Sequence, residues 1–241
     1  MAAYIIVSVI AYLIGSISFA VIFGKLIGGI DVRTEGSKNA GSTNVLRTVG
    51  KRAAICSLLC DVLKGVFAIL IAIAFGALFQ DADKHILVQL AALFVVIGHT
   101  FPVFFKFKGG KGVATSLGVL LMINWKIGLI CLVYALTLMV ITKMVSLGSI
   151  AAAILFPILV AFIGDCYIVE QSFTFQYFVF AVLLGLIVVY NHRTNIKRLH
   201  NGTENRISFS KKAKEEVAVE SEEEAEEVEV KETKKSKKKS K

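Results

Sequence analysis

Residues 2–24 read AAYIIVSVIAYLIGSISFAVIFG, and no charged side chain occurs in these 23 positions. A helix needs about 20 consecutive apolar residues to cross a bilayer. The stretch lacks the basic start and small-residue cleavage site of a secretory signal, so it predicts a retained membrane-spanning helix. The 241-residue chain is 56% hydrophobic and its mean hydropathy is +0.71. This composition predicts an all-α polytopic membrane protein and argues against a soluble enzyme, a disulfide scaffold or a disordered regulator.

Further apolar segments follow at intervals along the chain. Seven spans are predicted, at residues 2–24, 53–79, 86–104, 112–124, 127–142, 144–164 and 172–190. The fourth and fifth are short, and Asn124, Trp125 and Lys126 separate them as an interfacial turn with an aromatic anchor. A single helix over 112–142 would be too long for a bilayer without strong tilt.

Basic residues are concentrated in alternate connections between the spans. Residues 25–52 and 105–111, then Lys143, then the segment after residue 190 carry most of them. The positive-inside rule therefore predicts an N-terminus outside and a C-terminus in the cytoplasm, which agrees with an odd number of spans.

The net charge of +9 belongs to the membrane body. Residues 1–210 hold 17 basic and 8 acidic side chains, whereas residues 211–241 hold ten of each sign. Anionic lipid or an anionic substrate fits this charge, and nucleic acid fits poorly because the spans interrupt the basic residues. We predict a membrane domain over 1–206 and a disordered, Glu/Lys-rich cytoplasmic tail over 207–241.

The first polar segment, residues 33–47, reads RTEGSKNAGSTNVLR. Its glycines allow backbone N–H groups to approach an anion, and Arg47 can clamp a phosphate through two hydrogen bonds. An ordinary polar loop rich in turn-forming residues remains the alternative. The candidate ligand-binding residues before Arg47 are Ser37, Lys38, Asn39, Gly41, Thr43 and Asn44.

The second segment, residues 99–115, reads HTFPVFFKFKGGKGVAT. Gly109, Gly110 and Gly112 precede a helix start, and this arrangement predicts an anion-binding nest that includes Lys111. The nucleotide-binding signature would place Ser or Thr after the lysine, where this chain has Gly112. The alternative is a basic interfacial loop that holds lipid headgroups.

The third segment, residues 191–205, reads NHRTNIKRLHNGTEN. His192 and Asn195 share a face if the last helix continues, and His192 is a candidate base. Glu204 is the only acid in the segment and could orient Arg or Lys side chains. The alternative is an interfacial histidine without a catalytic part.

Asp61 and Lys64 lie inside the second predicted span, three residues apart. Charged residues inside spans are costly and usually pair within the protein, so an internal ion pair is predicted. The functional alternative is that the pair orients a neighbouring basic loop. No metal-ligand spacing or cofactor motif is visible. The cysteines are interpreted as small buried hydrophobic residues: Cys56, Cys60, Cys131 and Cys166.

The three polar segments all fall on the predicted cytoplasmic side. Three phosphate-compatible segments indicate a site that handles two phosphorylated species, one of which carries an acyl chain. In order and over about residues 1–206, these motifs resemble those of the acyl-phosphate-dependent glycerol-3-phosphate acyltransferases, the PlsY family. The charged tail is a departure from that pattern.

The resemblance implies a bacterial inner-membrane enzyme that transfers a fatty acyl group from acyl phosphate to the 1-hydroxyl of sn-glycerol 3-phosphate. The products would be lysophosphatidate and inorganic phosphate, formed at the first committed step of phospholipid synthesis. The implied partners are both substrates and membrane lipids, with no cofactor. The oligomeric state stays open, and a monomer is among the alternatives.

Carried over by motif, the resemblance implies catalytic roles for Ser37, Arg47, Lys111, His192 and Asn195. It implies substrate or phosphate binding by Lys38, Asn39, Gly41, Thr43, Asn44, Gly109, Gly110, Gly112, Arg198 and Glu204. Which segment binds which phosphate stays open. The base could be His192 or a phosphate oxygen of the substrate, whose second pKa is about 6.

Three competing functions fit the sequence less well. A transporter would place its site at the membrane midplane between repeated halves, and no clear repeat is visible. A CDP-alcohol phosphotransferase needs several metal-binding aspartates, but Asp61 is the only one deep in a span. A membrane scaffold would leave the three motifs unexplained.

Overall fold

The computed structural model describes residues 1–163 and 175–207. Helices and one 3-10 turn, Val103–Phe105, are the regular elements of these residues, and they contain no strand. The helices are α1 Ala2–Gly15, α2 Phe19–Gly28, α3 Ser42–Thr48, α4 Lys51–Leu78, α5 Lys84–Thr100, α6 Val113–Ile123, α7 Trp125–Thr142, α8 Val145–Ile163, α9 Phe175–Asn191 and α10 Arg193–His200. The all-helical membrane-type architecture is therefore confirmed.

Within the described residues, fewer than seven helices are long enough to cross a membrane unaided. Five described segments qualify by length and hydropathy: Ala2–Gly28, Lys51–Leu78, Lys84–Phe105, Trp125–Thr142 and Val145–Ile163. A sixth is obtained if α9 and α10, bent by 62°, are counted as one span. The predicted span 112–124 contains only the 11-residue α6. Asn124 does separate it from α7, and its Oδ1 accepts a hydrogen bond from the Ile127 N–H at 3.0 Å.

The first predicted span is not one continuous helix. Helix α1 ends at Gly15 and α2 starts at Phe19, so the sequence from Ser16 to Ser18 forms a break. The Ser16 hydroxyl donates to the Tyr12 carbonyl at 2.8 Å, which is the local competition through which serine disturbs helices. An apolar run carries no signal for such a break.

Close helix packing at glycines builds the core around α5. A Cβ at Gly15 of α1 would strike the backbone of Val95, and one at Gly98 would strike the carbonyl of Tyr12. Helices α4 and α6 meet in the same way, with Gly65 against Thr115. Small residues that let backbones approach are typical of helix contacts in membranes.

A second, smaller apolar cluster fixes the first polar segment. Val32 and Val45 are fully buried and pack with Ala20 of α2 and Ala53 of α4. The segment 33–47 is therefore held against the starts of two helices, and α3 forms inside it where a loop was expected.

The chain divides into two compact units, Met1–Glu204 and Asn205–Lys241. Only residues 205–207 of the second unit are described, so the predicted tail stays a prediction. Cys166 and the adjoining ends of the last two predicted spans, residues 164 and 172–174, also lie outside the described residues.

Candidate active site

Asn44 organises the first polar segment. Its Nδ2 donates to the carbonyls of Val32 at 2.7 Å and Glu35 at 3.1 Å, and its Oδ1 accepts from the Ser37 N–H at 2.9 Å. Gly36 adopts a positive φ of 56°, and a Cβ there would strike Asn44 Oδ1. Asn44 is buried and its amide is engaged by its own loop. Its geometry thus fits loop organisation better than the direct phosphate contact that was expected.

The first and second segments touch at Arg33, which donates to the Phe105 carbonyl at 2.8 Å, and again at Ala40. The Ala40 N–H donates to the Gly109 carbonyl at 3.4 Å, and a Cβ at Gly110 would lie 2.8 Å from the Ala40 carbonyl oxygen. Only glycine fits so close an approach of two backbones.

The part of the second segment that contains Gly109, Gly110 and Lys111 is named the strap. Two of its backbone N–H groups already donate to carbonyls at the start of the same segment. The N–H of Gly109 donates to the Thr100 carbonyl at 3.2 Å, and that of Gly110 donates to the His99 carbonyl at 3.1 Å. The predicted nest is therefore not formed by these two amides. Gly112, at φ 87°, is the residue before α6, whose first-turn N–H groups have no partner within the helix.

The third segment contains a bend where a continuous helix was considered. Helix α9 ends at Asn191 and α10 starts at Arg193, with His192 at the junction. His192 Nδ1 lies 2.7 Å from the Val188 carbonyl oxygen. A carbonyl can only accept, so Nδ1 carries the proton and Nε2 is left with a lone pair that can accept one.

A chain of hydrogen bonds joins the second and third segments. Lys111 Nζ donates to Asn195 Oδ1, and Asn195 Nδ2 donates to Glu204 Oε1 at 2.7 Å. The same oxygen accepts from the Ser146 hydroxyl at 2.9 Å, and Oε2 accepts from Arg198 Nε at 2.9 Å. The amide of Asn195 therefore relays between a cation and a carboxylate, and both of its polar atoms have fixed directions.

Arg47 is the residue of the first segment that lies near this network. Its guanidinium lies within electrostatic reach of Arg198, Glu204 and Lys111. We name Arg47, Lys111, Asn195, Arg198 and Glu204 the cation cluster. It contains three cationic side chains and one carboxylate.

The surroundings of Lys111 and Glu204 lower the pKa of both groups. Burial lowers the pKa of the Lys111 amine to about 8. The positive charges of Arg198 and Arg47 act in the same direction, and the Glu204 carboxylate opposes them. Burial would raise the pKa of Glu204, but hydrogen bonds from Asn195 and its other donors hold it below the usual value. An uncompensated, half-buried group of cations is suited to an anion with two negative charges.

Other expected site residues lie near but outside this network. Ser37 and Lys38 are exposed on the loop before α3, and Lys38 has a positive φ of 57°. Thr43 is partly buried in the first turn of α3, while Asn39 and Gly41 share a backbone hydrogen bond of 3.0 Å. None of these five has a described contact with the cation cluster.

One member of the site had no distinct signal in the sequence. Ser146 lies in the first turn of α8, within an apolar span, and its hydroxyl bonds to Glu204. A serine just inside a span after Lys143 was the available hint. The predicted ion pair of Asp61 and Lys64 is confirmed at 2.8 Å between the two charged atoms.

Comparisons with known proteins identify the family of this chain. A family model described as glycerol-3-phosphate acyltransferase matches residues 5–202. A curated relative of that name from Clostridioides difficile is 47% identical, covering 87% of this chain and 98% of its own length. Another from Thermoanaerobacter sp. is 42% identical, covering 84% and 95% respectively.

A solved structure is similar over nearly the same range. It is described as PlsY, an integral membrane glycerol 3-phosphate acyltransferase, in its glycerol 3-phosphate form. It superposes with a TM-score of 0.74 at 36% identity, covering 85% of this chain and 96% of that one. The resemblance expected from the three motifs is confirmed, and the chain belongs to the glycerol-3-phosphate acyltransferase family.

Proposed function

We propose that this protein transfers a fatty acyl group from acyl phosphate to the 1-hydroxyl of sn-glycerol 3-phosphate. The observation that carries the proposal is the cation cluster, in which side chains from three distant segments leave positive charge uncompensated. Both substrates carry a phosphate that such a cluster would bind. The products are 1-acylglycerol 3-phosphate, which enters phospholipid synthesis, and inorganic phosphate.

In the proposed reaction, the 1-hydroxyl oxygen bonds to the acyl carbonyl carbon and the carbon–oxygen bond to the phosphate breaks. The departing phosphate gains negative charge, which Lys111 and Arg47 would stabilise. Holding the hydroxyl against the carbonyl supplies proximity, since the mixed anhydride is already activated. No covalent acyl-enzyme is needed.

The hydroxyl proton needs an acceptor. The free Nε2 of His192 is one candidate, because Nδ1 is engaged by the Val188 carbonyl. A phosphate oxygen of the substrate is the other, and the proton would then leave with the phosphate product. Ser37 is exposed and its only described bond is through its N–H, which gives no support to a nucleophilic role.

We further propose a seven-span topology in the bacterial inner membrane, with α6 as the short fourth span. The N-terminus would lie outside and the cation cluster on the cytoplasmic side. Positive charge in alternate connections supports this orientation. Cysteine accessibility from either side of sealed vesicles tests it, with single cysteines at Met1 and Asn201 expected to label from opposite sides.

The donor is tested with purified protein in detergent. sn-Glycerol 3-phosphate is supplied with either palmitoyl phosphate or palmitoyl-CoA, and lysophosphatidate and released phosphate are followed. We expect product from acyl phosphate alone. Product only from the thioester would reject the proposed donor, and no product from either with folded protein would favour transport, tested by uptake into proteoliposomes.

A further inference from the structure

A second group of charged side chains lies inside the helical body. Asp61 and Lys64 of α4 are each 2% exposed, and Lys64 Nζ lies 2.8 Å from Asp61 Oδ1. His99 of α5 is also buried, and its Nδ1 lies 3.4 Å from the same oxygen, in electrostatic contact rather than in an aligned hydrogen bond. We name Asp61, Lys64 and His99 the buried triad. None of them contacts the cation cluster directly in the described contacts.

Lys64 ties the triad to the break in the first span. Its ammonium donates to the Gly15 carbonyl at 3.0 Å and to the Ile17 carbonyl at 2.8 Å. These carbonyls are left without helical partners where α1 ends, so the lysine satisfies them. The start of α2, which leads into the first polar segment, is thereby fixed to α4.

His99 ties the triad to the strap of the second segment. A Cβ at Gly110 would collide with His99 Nε2, so the imidazole edge lies directly against this glycine. The His99 carbonyl also accepts the Gly110 N–H at 3.1 Å. The Ala40 carbonyl oxygen lies on the same side of Gly110 as the imidazole, 2.8 Å from the position of an added Cβ, and the next residue is Lys111.

Stability alone gives a poor account of such a triad. Taking two charges out of water is expensive, and apolar residues of similar volume often replace a buried ion pair without loss of stability. The geometry offers a different role, because Asp61 is placed to orient the imidazole and the imidazole limits where Gly110 can lie.

We propose that His99, oriented by Asp61, is a positioning residue that holds Gly110 against Ala40 and thereby aims Lys111 at the substrate phosphate. The inference rests on the proposed function of the cation cluster. It predicts that His99 and Gly110 act through one shared contact.

The test is a double-mutant cycle of His99→Ala and Gly110→Ala. Binding of sn-glycerol 3-phosphate is measured by calorimetric titration in detergent, with turnover and melting temperature recorded for each variant. We expect each single change to weaken binding by at least about tenfold, because either one displaces the strap. The double variant should bind within about threefold of Gly110→Ala, because the added Cβ already displaces Gly110 from the imidazole and still meets the Ala40 carbonyl oxygen when the imidazole is absent.

The proposal would be overturned if the two losses of substrate affinity multiplied in the double variant. It would also be overturned if His99→Ala melted at a lower temperature but bound substrate and turned over normally. His85→Ala, at the other end of the same helix, is the matched control and should leave binding unchanged. Because this binding needs no acyl donor, a wild-type protein that binds but does not use acyl phosphate rejects the donor while the cycle still decides the role of His99.

The contribution of Asp61 is separated by the paired change Asp61→Asn with Lys64→Met. This variant removes both charges together, so no unpaired charge is left in the interior. If Asp61 orients His99, the variant should weaken binding about as much as His99→Ala. Wild-type binding would mean that Asp61 only balances Lys64, and this would reject its part in the proposal.

Discussion

The cation cluster and the buried triad use the same kinds of side chain in opposite ways. In the triad, Lys64 meets a carboxylate and two carbonyls, so its charge is balanced inside the protein. In the cation cluster, Lys111 shares one carboxylate with two arginines and stays partly accessible. A balanced group is complete without a ligand, whereas an unbalanced one is completed by an anion. The difference in charge balance, more than the residue types, is the ground for proposing chemistry at the cation cluster and a positioning role for the buried triad.

The largest expected effect on the contrast between the two groups comes from removing the Lys111 amine from the cation cluster. We expect Lys111→Ala to lower turnover by roughly 10²–10³-fold, as for loss of one preorganised donor to a developing anion. The melting temperature should hardly change, because the cluster then loses repulsion as well as a hydrogen bond. Lys108→Ala, an exposed lysine in the same segment, is the control and should turn over normally. Near-normal turnover of Lys111→Ala would remove the cluster from the mechanism.

Breaking the triad should instead affect folding first. Asp61→Asn leaves Lys64 without its counter-charge in the interior, which costs about 3–5 kcal/mol in similar buried pairs. We expect a clear fall in melting temperature and in the yield of folded protein. Asp81→Asn, in the exposed turn between α4 and α5, should melt like the wild type. Equal melting temperatures for both variants would contradict the claim that Asp61 compensates the buried charge of Lys64.

A pH profile sharpens the contrast, because Lys111 of the cation cluster is a partly accessible amine whose pKa is lowered. Lys111 titrates at about 8 in the free protein, so its positive charge is present below that pH and is lost above it. We expect kcat/KM to fall about tenfold per pH unit above roughly pH 8. In Lys111→Arg, whose guanidinium stays charged, the residual activity should lose this decline. A decline that persists in Lys111→Arg belongs to another group.

The smallest expected effect concerns the serine that the sequence did not single out. Ser146→Ala removes one hydrogen bond to Glu204 but leaves those from Asn195 and Arg198. A single hydrogen bond to a charged group contributes about 1.5–3 kcal/mol at most, and the remaining donors compensate in part. We expect kcat/KM to fall about three- to tenfold. Ser149→Ala, whose hydroxyl bonds only within α8, should be unchanged, and equal activities would place Ser146 outside the site.

The helices themselves follow from apolar composition, which is why most spans were predicted within a few residues. The break at Ser16–Ser18 was not, since it depends on packing of Gly15 against α5 and on an amine from α4. A hydropathy profile detects neither the packing of Gly15 nor the bonding of this amine. The short α6 was predicted within one residue at each end, because Gly112 before it and Asn124 after it mark its limits.

The members of the site were visible as motif residues, but their arrangement was not. Lys111 and Asn195 are 84 positions apart, and only the folded chain joins them through an amide. Residue type also failed to separate ligand contacts from loop supports. Asn44 is a candidate phosphate contact by residue type, yet its amide bonds to the backbone of Val32, Glu35 and Ser37. Whether such an amide bonds within the protein or to a ligand depends on the folded geometry, which the residue type does not reveal.

The shortness of α6 has a consequence for depth. Eleven residues rise about 16 Å, against a hydrocarbon thickness of about 30 Å. In the proposed topology Trp125 marks one interface, so Gly112 and the neighbouring Lys111 would stop about 14 Å short of the other. Lys111 would thus be recessed well below the lipid ester groups, at the depth of the acyl chains. A donor could keep its chain in the hydrocarbon while its phosphate met the lysine, and the water-soluble substrate would descend to it.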